Sequence, residues 1–229
     1  MKKIVITTLV FGLQLFAQDG IKRPAQVTAT DRVDFAPGGV IRVTTSSSNL
    51  FVEAWDRPEV EITTIKSGRH AQCLDDVRVV TNHPSATELT ITTALPPTSF
   101  FARLFGRTCR ATVEQHVNAP QNSRLVIQHG AGYLMVSRIS GDIEANSRSG
   151  DIVLMLPDPG PYAIDAKSKF GSVSSDFAGT AHRKKLLGEQ FASANSTPSR
   201  RIFLRIGFGG ITIKEVPLTP AAPVAVGAQ

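Results

Sequence analysis

The sequence is poor in cysteine and tryptophan and contains none of the common catalytic motifs. Its 229 residues include two cysteines and one tryptophan. There is no Gly-x-Ser-x-Gly nucleophile elbow, no phosphate-binding glycine loop and no His-Glu-x-x-His metal motif. The five histidines are scattered, with no spacing typical of a zinc site. These absences argue against the familiar hydrolase, nucleotide-binding and metalloprotease classes, so we predict no catalytic residue, no cofactor and no metal ion.

Only the N-terminus contains an extended apolar run. Lys2 and Lys3 precede an uncharged segment from Ile4 to Phe16. This segment is too short to span a bilayer comfortably, and a basic start followed by a short apolar run is typical of a secretory signal peptide. We therefore expect residues 1–17 to be a signal peptide and the protein to be exported to the periplasm, the cell envelope or the medium.

The chain is basic. Lysine and arginine number 25 against 19 aspartates and glutamates, which gives a net charge of +6. In an exported protein this charge favours an anionic envelope component or a polysaccharide as partner, with peripheral contact to a membrane as a further expectation. We do not expect nucleic acid as a partner, and general solubility is the alternative explanation of the charge. The basic cluster Arg183, Lys184 and Lys185 lies in a polar stretch without periodicity, so we predict a solvated loop and a binding candidate there.

The two cysteines, Cys73 and Cys109, form an even pair in a chain that we expect to be exported. In an oxidising compartment such a pair is most simply a disulfide bond. That bond would stabilise the fold by roughly 3 to 4 kcal/mol in the chain-entropy model. The alternative is a metal site that also uses His70 and His116, but their spacing from the cysteines matches no common zinc pattern.

A segment rich in phenylalanine is the second binding candidate. Phe100, Phe101 and Phe105 are spaced, with Leu104, for one face of a short helical turn. Such a segment could touch a membrane or a protein partner. The alternative, which we favour, is a loop that folds over an open end of the sheet and is held there by Cys109.

Most of the chain alternates apolar and polar residues between turn signals, which is the pattern of β-strands. Segments of this kind lie at residues 40–44, 50–55, 60–65, 77–80, 88–92, 111–117 and 124–128. We therefore predict an all-β fold. We expect residues 18–216 to form a single β-repeat domain and 217–229 to be a flexible tail rich in proline and alanine.

Three glycines nine residues apart mark the centre of the chain. Gly132, Gly141 and Gly150 each open a short apolar run, and the last two belong to a repeated Ser-Gly-Asp-Ile tetrapeptide. A fixed period predicts repeated stacking of one unit, with the glycine at a corner. Asp142 and Asp151 are expected to accept backbone hydrogen bonds at the corners, and calcium binding is the less favoured alternative. The predicted fold is a β-solenoid-like stack of short strands with an N-terminal β-strand region, and a β-sandwich is the alternative.

These segments occur in an order found in a known type of protein. The order consists of the 39–43 strand, the 49–65 strand pair, the 117–120 segment, the Ser-Gly-Asp-Ile repeats and the closing 210–213 strand. In this order of segments the chain resembles the large bacterial family of exported, glycine-led β-strand-repeat proteins described as putative adhesins, with a domain of unknown function. The resemblance implies an all-β, solenoid-like fold, a cell-envelope setting and no catalytic residues. The cysteines, the phenylalanine segment and the basic cluster are not part of the family pattern.

The predicted function is that of a non-enzymatic, exported cell-envelope protein, an adhesin or another surface-binding module. The first alternative is a polysaccharide-active enzyme on the same scaffold, for which Asp142, Asp151, Asp165 and Asp176 could supply a carboxylate pair. The second alternative is a structural or stress-responsive envelope protein that self-associates through the ends of the stack.

Overall fold

The described part of the chain is almost entirely β-strand. The computed structural model describes residues 25–69, 72–75, 77–94, 111–158, 162–183, 188–193 and 200–217. The strands are β1 (Ala25–Asp34), β2 (Val40–Thr45), β3 (Asn49–Trp55), β4 (Glu59–Gly68), β5 (Arg78–Ser85), β6 (Glu88–Ala94), β7 (Ala111–Pro120), β8 (Arg124–Ser137), β9 (Ile143–Asp158), β10 (Tyr162–Phe170), β11 (Val173–Ser175), β12 (Gly179–Arg183), β13 (Glu189–Ser193), β14 (Arg200–Phe208) and β15 (Ile211–Pro217). One helical turn, α1 (Gln72–Asp75), lies between β4 and β5. The all-β prediction is confirmed.

All the described strands belong to one open sheet in which parallel and antiparallel pairs are mixed. The first parallel series runs in the order β6, β2, β8, β9, β14 and β10. The second runs in the order β7, β3, β8, β9, β15 and β11, so the long strands β8 and β9 take part in both series. Antiparallel strands extend the series at their ends: β5 beside β6, β4 and β1 beside β7, and β13 and β12 beside β10.

Neighbouring layers are two sequence units apart. The register of β8 and β9 places Leu125 beside Ile143 and Gly132 beside Gly150, a separation of 18 residues (150 minus 132). The unit opened by Gly141 lies in the first parallel series, whereas the units opened by Gly132 and Gly150 lie in the second. Consecutive units therefore merge into one long strand, and the sequence period of nine residues is half of a layer.

A single hydrophobic cluster contains side chains from both series. Residues that are register partners are buried together, because alternate side chains of each strand point to the same face. In the first series one row of buried register partners consists of Leu89, Ile41, Leu125, Ile143, Ile202 and Ile164. In the second series a ladder consists of Leu50, Leu134, Ile152, Ile211 and Val173. The core therefore uses one face of every parallel strand and leaves the other face to solvent.

A column of glycines lies where the two series meet. Gly132, Gly150, Gly209 and Gly171 have φ values of +123°, +114°, +126° and +152°, a region open mainly to glycine. The column is also tightly stacked, since a Cβ on Gly150 would lie 1.8 Å from the carbonyl oxygen of Gly132. A Cβ on Gly209 would lie 1.6 Å from the carbonyl oxygen of Gly150. A corner was predicted at Gly132, Gly141 and Gly150, but Gly132 and Gly150 lie inside the long strands β8 and β9, and Gly141 lies between these strands.

Buried polar side chains flank the glycine column. The Nε2–H of His129 donates to the carbonyl oxygen of Ser48 (2.8 Å), and its Nδ1 accepts from the hydroxyl of Ser147 (3.0 Å). The hydroxyls of Thr45 and Ser48 lie 2.7 Å apart and share a hydrogen bond. Burial lowers the pKa of His129, so the ring is neutral at physiological pH. The buried polar side chains beside the glycine column are thus paired by hydrogen bonds, some of which join neighbouring layers.

Several predictions fall on residues outside the described part of the chain. These are the signal peptide at 1–17, the binding candidates Phe100, Phe101, Phe105, Lys184 and Lys185, and the residue Cys109. Cys73 lies in α1, so the proposed bond from Cys73 to Cys109 stays a prediction. The strand β15 reaches Pro217, where the predicted tail begins. Among the described residues, no helix has the length and apolar character needed to cross a membrane.

Candidate functional site

Two adjoining grooves lie on the outer face of the first parallel series. Strands β9, β14, β10 and β13 contribute to both of them. Their volumes are about 580 and 550 Å³. Asp165 lines the first groove and Arg205 lines the second, and these two residues form an ion pair with 2.5 Å between Oδ2 and Nη2. The ion pair is therefore the boundary between the grooves.

The first groove is slightly acidic. It is lined by the carboxylates of Asp142, Glu144 and Asp165 and by the cations Arg124 and Arg201, a balance of 2 − 3 = −1. The Oδ1 of Asp142 accepts the backbone N–H of Arg201 at 2.8 Å, and Asp165 is bound to Arg205. Two of the three carboxylates are thus already bound to donors.

The other predicted corner aspartate has the same role as Asp142. The Oδ1 of Asp151 accepts the backbone N–H of Gly210 at 2.9 Å. The prediction that Asp142 and Asp151 satisfy backbone donors is therefore confirmed. Asp176 also accepts a backbone N–H, from Glu215 at 3.4 Å. Within the described ranges, no group of three or more His, Cys, Asp or Glu residues could hold a metal ion.

The second groove, called the basic groove below, is positively charged. Its lining includes Lys167, Lys169 and Arg205 against one carboxylate, Glu189, which gives 3 − 1 = +2 without His182. The Oε2 of Glu189 already accepts the backbone N–H of Val173 at 3.0 Å. Arg205 is neutralised by Asp165, whereas Lys167 and Lys169 form no ion pair with any described residue. The two lysines are therefore the free charges of this groove.

A row of hydrogen-bonding side chains crosses the sheet through the basic groove. Strand register places them side by side on the outer face: Thr44, Gln128, Asn146, Arg205, Lys167, Gln190 and His182. We call this set the donor row, because every member can donate a hydrogen bond and none is a carboxylate. With strands about 4.8 Å apart, the row is roughly 29 Å long.

Aromatic rings border the donor row. The rings of Phe170 and Phe208 are stacked, with centroids 4.7 Å apart, and Phe208 is 57% exposed. The ammonium of Lys169 lies 5.5 Å from the centroid of Phe170. The guanidinium of Arg205 lies 3.8 Å from the centroid of Phe203, which is 38% exposed. Of these rings, Phe170 lines the basic groove and Phe208 stacks on it, so flat apolar surface adjoins the lysines. Each cation–π contact helps to fix a cation in place.

The structure places one of the basic candidates from the sequence beside this groove. Arg183 is exposed and is the last residue of β12, where the sequence predicted a loop. His182 lines the basic groove. Arg183 follows it in the strand, so its side chain points to the opposite face from that of His182, and its register partner is Glu189. Sequence reasoning missed Lys167 and Lys169, although their spacing of two residues in an alternating strand placed both on one face.

Comparison with known proteins gives structural likenesses of low similarity. No protein-family model matches the chain. No curated protein matches it either. A solved structure described as a putative cell adhesion protein from Clostridium sporogenes has 12% sequence identity and a TM-score of 0.49, covering 85% of this chain and 100% of that one. A putative adhesin from Bacteroides fragilis has 11% identity and a TM-score of 0.28, covering 85% of this chain and 99% of that one.

A third solved structure carries a different description. It is a putative lipid binding protein from Parabacteroides distasonis, with 11% identity and a TM-score of 0.25, covering 82% of this chain and 96% of that one. Proteins described as adhesins are thus among the structures that this chain is similar to. Identities and TM-scores this low transfer no ligand from those proteins to this chain, and membership of the family stays a prediction.

Proposed function

We propose that the chain is a non-enzymatic, exported cell-envelope protein whose basic groove binds a linear acidic polysaccharide. The observation that carries the proposal is the donor row, which crosses seven strands without a carboxylate. It is joined by two lysines of the groove, Lys167 in the row and Lys169 beside it, that form no ion pair with a described residue. We infer a β-solenoid-like scaffold, and the support for it is that two parallel series share the long strands β8 and β9 and contribute to one hydrophobic cluster.

The shape of the row suits an extended polymer. The row runs across the strands, so its side chains follow one another about every 4.8 Å. Arg205 and Gln190 already donate to Asp165, which leaves the other members of the row to bind the polymer. An acidic polysaccharide presents carboxylates or sulfates and many hydroxyls at regular intervals, and these groups accept hydrogen bonds from amides, ammonium groups and imidazoles. The exposed ring of Phe208 offers a flat apolar surface for the face of a sugar ring.

The carboxylates give no comparable support to an enzyme. Asp142, Asp151 and Asp176 each accept a backbone N–H, and Asp165 is paired with Arg205. A glycosidase needs one carboxyl group that keeps a proton and a second that remains ionised. All four carboxylates are already bound to donors of the fold, so none of them stands out as one member of such a pair.

The test is a binding titration of the chain from residue 18 to residue 229. The probe is polygalacturonate, with dextran as an uncharged control polymer, at low and at high salt. We expect binding to polygalacturonate that weakens with salt, because the charges are exposed, and no binding to dextran. Equal binding of both polymers, or binding that salt does not change, would contradict the proposal.

The variant that isolates the groove replaces both free lysines, Lys167→Gln with Lys169→Gln. We expect affinity to fall about tenfold, since two exposed charge contacts contribute on the order of 1 to 2 kcal/mol together. Lys214→Gln is the matched control, because Lys214 is an exposed lysine on β15 in the second series. If the control weakens binding as much as the double variant, net charge and not the groove is responsible. Release of new reducing ends from polygalacturonate would instead support the enzyme alternative.

A further inference from the structure

One edge strand of the sheet is long and regular enough to pair with another chain. β1 is ten residues long and pairs with β4 through an uninterrupted register from Ala25 to Asp34. In the described part of the chain β4 is its only neighbour. Edges are normally blunted by proline, by bulges, by short length or by charged side chains. β1 has ten residues with no proline and no bulge, and its charged residues are Asp31, Arg32 and Asp34.

The other strands at the limits of the sheet are protected. β5 contains Pro84 and has a register shift between Asn82 and Ser85. β11 has three residues and β12 has five. A strand of five residues or fewer offers few backbone groups to a partner. The contrast singles out β1 as the edge able to bind another strand.

The free backbone groups of β1 can be identified from one hydrogen bond. The backbone N–H of Phe35 donates to the carbonyl oxygen of Pro58 at 3.0 Å, so Phe35 points toward β4. Backbone groups alternate in direction along an antiparallel strand. The backbone groups of the odd-numbered residues of β1 therefore bond to β4. The backbone N–H and C=O groups that point away from β4 belong to the even-numbered residues: Gln26, Thr28, Thr30, Arg32 and Asp34.

We propose that β1 pairs antiparallel with β1 of a second copy of this chain, about a two-fold axis through Thr30. In this register Gln26 lies opposite Asp34, Thr28 lies opposite Arg32, and Thr30 lies opposite its own copy. All five outward-pointing residues of each strand find a partner, which gives about ten backbone hydrogen bonds across the interface. Because the pairing is symmetric, the same five residues form these backbone hydrogen bonds in both copies.

Side chains favour this register over its neighbours. On the other face of the strand, Val27 would lie opposite Val33 of the second copy. Val27 is 48% exposed and Val33 packs against the core, so the pairing would cover an exposed apolar side chain. Moving the axis to Asp31 would place that carboxylate opposite its own copy, and moving it to Ala29 would place Val27 opposite Asp31. Of these three registers, only the one with the axis at Thr30 avoids both conflicts, and it also gives the most paired residues among the even-numbered ones.

This interface is independent of the basic groove. β1 and β12 are the two ends of the longest path of paired strands through the sheet. Dimerisation through β1 therefore leaves the donor row free, and its success or failure does not depend on polysaccharide binding.

A charge-swap experiment tests the proposal. Sedimentation equilibrium of residues 18–229 should show dimers that form with increasing concentration. Thr30→Lys and Thr30→Asp should each be monomeric, because the axis places each new charge opposite its own copy. An equimolar mixture of the two variants should form dimers again. A general loss of folding could not be repaired by mixing. A wild-type chain that stays monomeric at every concentration, or a mixture that associates no better than its components, would overturn the proposal.

A cysteine pair tests the register separately. Directly paired residues in an antiparallel sheet have Cα atoms about 5.5 Å apart, which suits a disulfide bond. Thr30→Cys should therefore form a covalent dimer under mild oxidation. Thr28→Cys is the control, because it lies four residues, about 13 Å, from its own copy in this register. Cross-linking of Thr28→Cys as readily as Thr30→Cys would contradict the register.

Discussion

Replacement of Gly150 by alanine should destabilise the fold far more than the same replacement at Gly38. Both glycines have positive φ values, +114° and +84°, so both substitutions introduce backbone strain. At Gly38 the nearest atom to the new Cβ is Nδ2 of Asn122 at 4.0 Å, which is an ordinary contact. At Gly150 the Cβ would lie 1.8 Å from the carbonyl oxygen of Gly132 in the next layer. The two variants therefore share the strain and differ in the steric clash.

The expected magnitudes follow from these contacts. A left-handed backbone conformation costs an ordinary residue about 1 to 2 kcal/mol, which is the whole effect expected for Gly38→Ala. At Gly150 the layers must separate by about 1.6 Å, the difference between 1.8 Å and a normal contact of 3.4 Å. A shift of that size breaks the adjoining hydrogen bonds between β8 and β9, each with a net value of about 1 kcal/mol. We expect a total loss of about 3 to 5 kcal/mol for Gly150→Ala.

Urea unfolding followed by circular dichroism measures both variants against the unsubstituted chain. The free energies of unfolding should differ by at least about 2 kcal/mol between Gly150→Ala and Gly38→Ala, which is above the error of linear extrapolation. Equal destabilisation of the two variants would refute the reasoning, because it would mean that the glycine column does not bring the layers into contact.

Three further predictions concern single side chains. Burial lowers the pKa of His129 from 6.5, so below about pH 6.5 the unfolded chain binds a proton that the folded chain does not. The free energy of unfolding should therefore decrease as the pH is lowered below 6.5, and His129→Gln should reduce this decrease in urea titrations at several pH values. The pKa of Glu215 is raised, first by loss of hydration and then by the charge of Asp158, so Glu215→Gln should raise the thermal midpoint at pH 7 and leave it unchanged at pH 4. Gln115 is fully buried and neither of its amide atoms has a partner among the described residues, so Gln115→Met should stabilise the chain by about 1 to 3 kcal/mol in urea titrations.

The local parts of the fold could be predicted from the sequence because they depend on neighbouring residues. The segment 40–44 was expected as a strand and lies in β2, and 50–55 lies in β3. The corner role of Asp142 and Asp151 also follows from local chemistry, since a short carboxylate after a glycine is a natural acceptor for backbone donors. Burial periodicity and turn residues contain this information without any knowledge of the partners.

The pairing of strands could not be predicted in the same way. The nine-residue period suggested a stack of single units, whereas the register of Gly132 with Gly150 shows that two units form each layer. Either arrangement gives each unit the same alternation of buried and exposed residues, so the pattern alone does not distinguish them. The edge strand β1 was missed for a related reason: its residues are mostly exposed on both faces, and a strand without a buried face has little periodic signal.

The basic groove was beyond prediction because its residues come from distant parts of the sequence. Asn146, Lys167, Gln190 and Arg205 are neighbours only through the register of β9, β10, β13 and β14. All four lie on the outer face of these strands, opposite the core. Lys167 and its neighbour Lys169 form no ion pair with a described residue, so replacing these two lysines should change stability by no more than about 0.5 kcal/mol. The binding surface can therefore change without disturbing the fold, which means that a loss of binding in the Lys167 and Lys169 variant can be attributed to the groove itself.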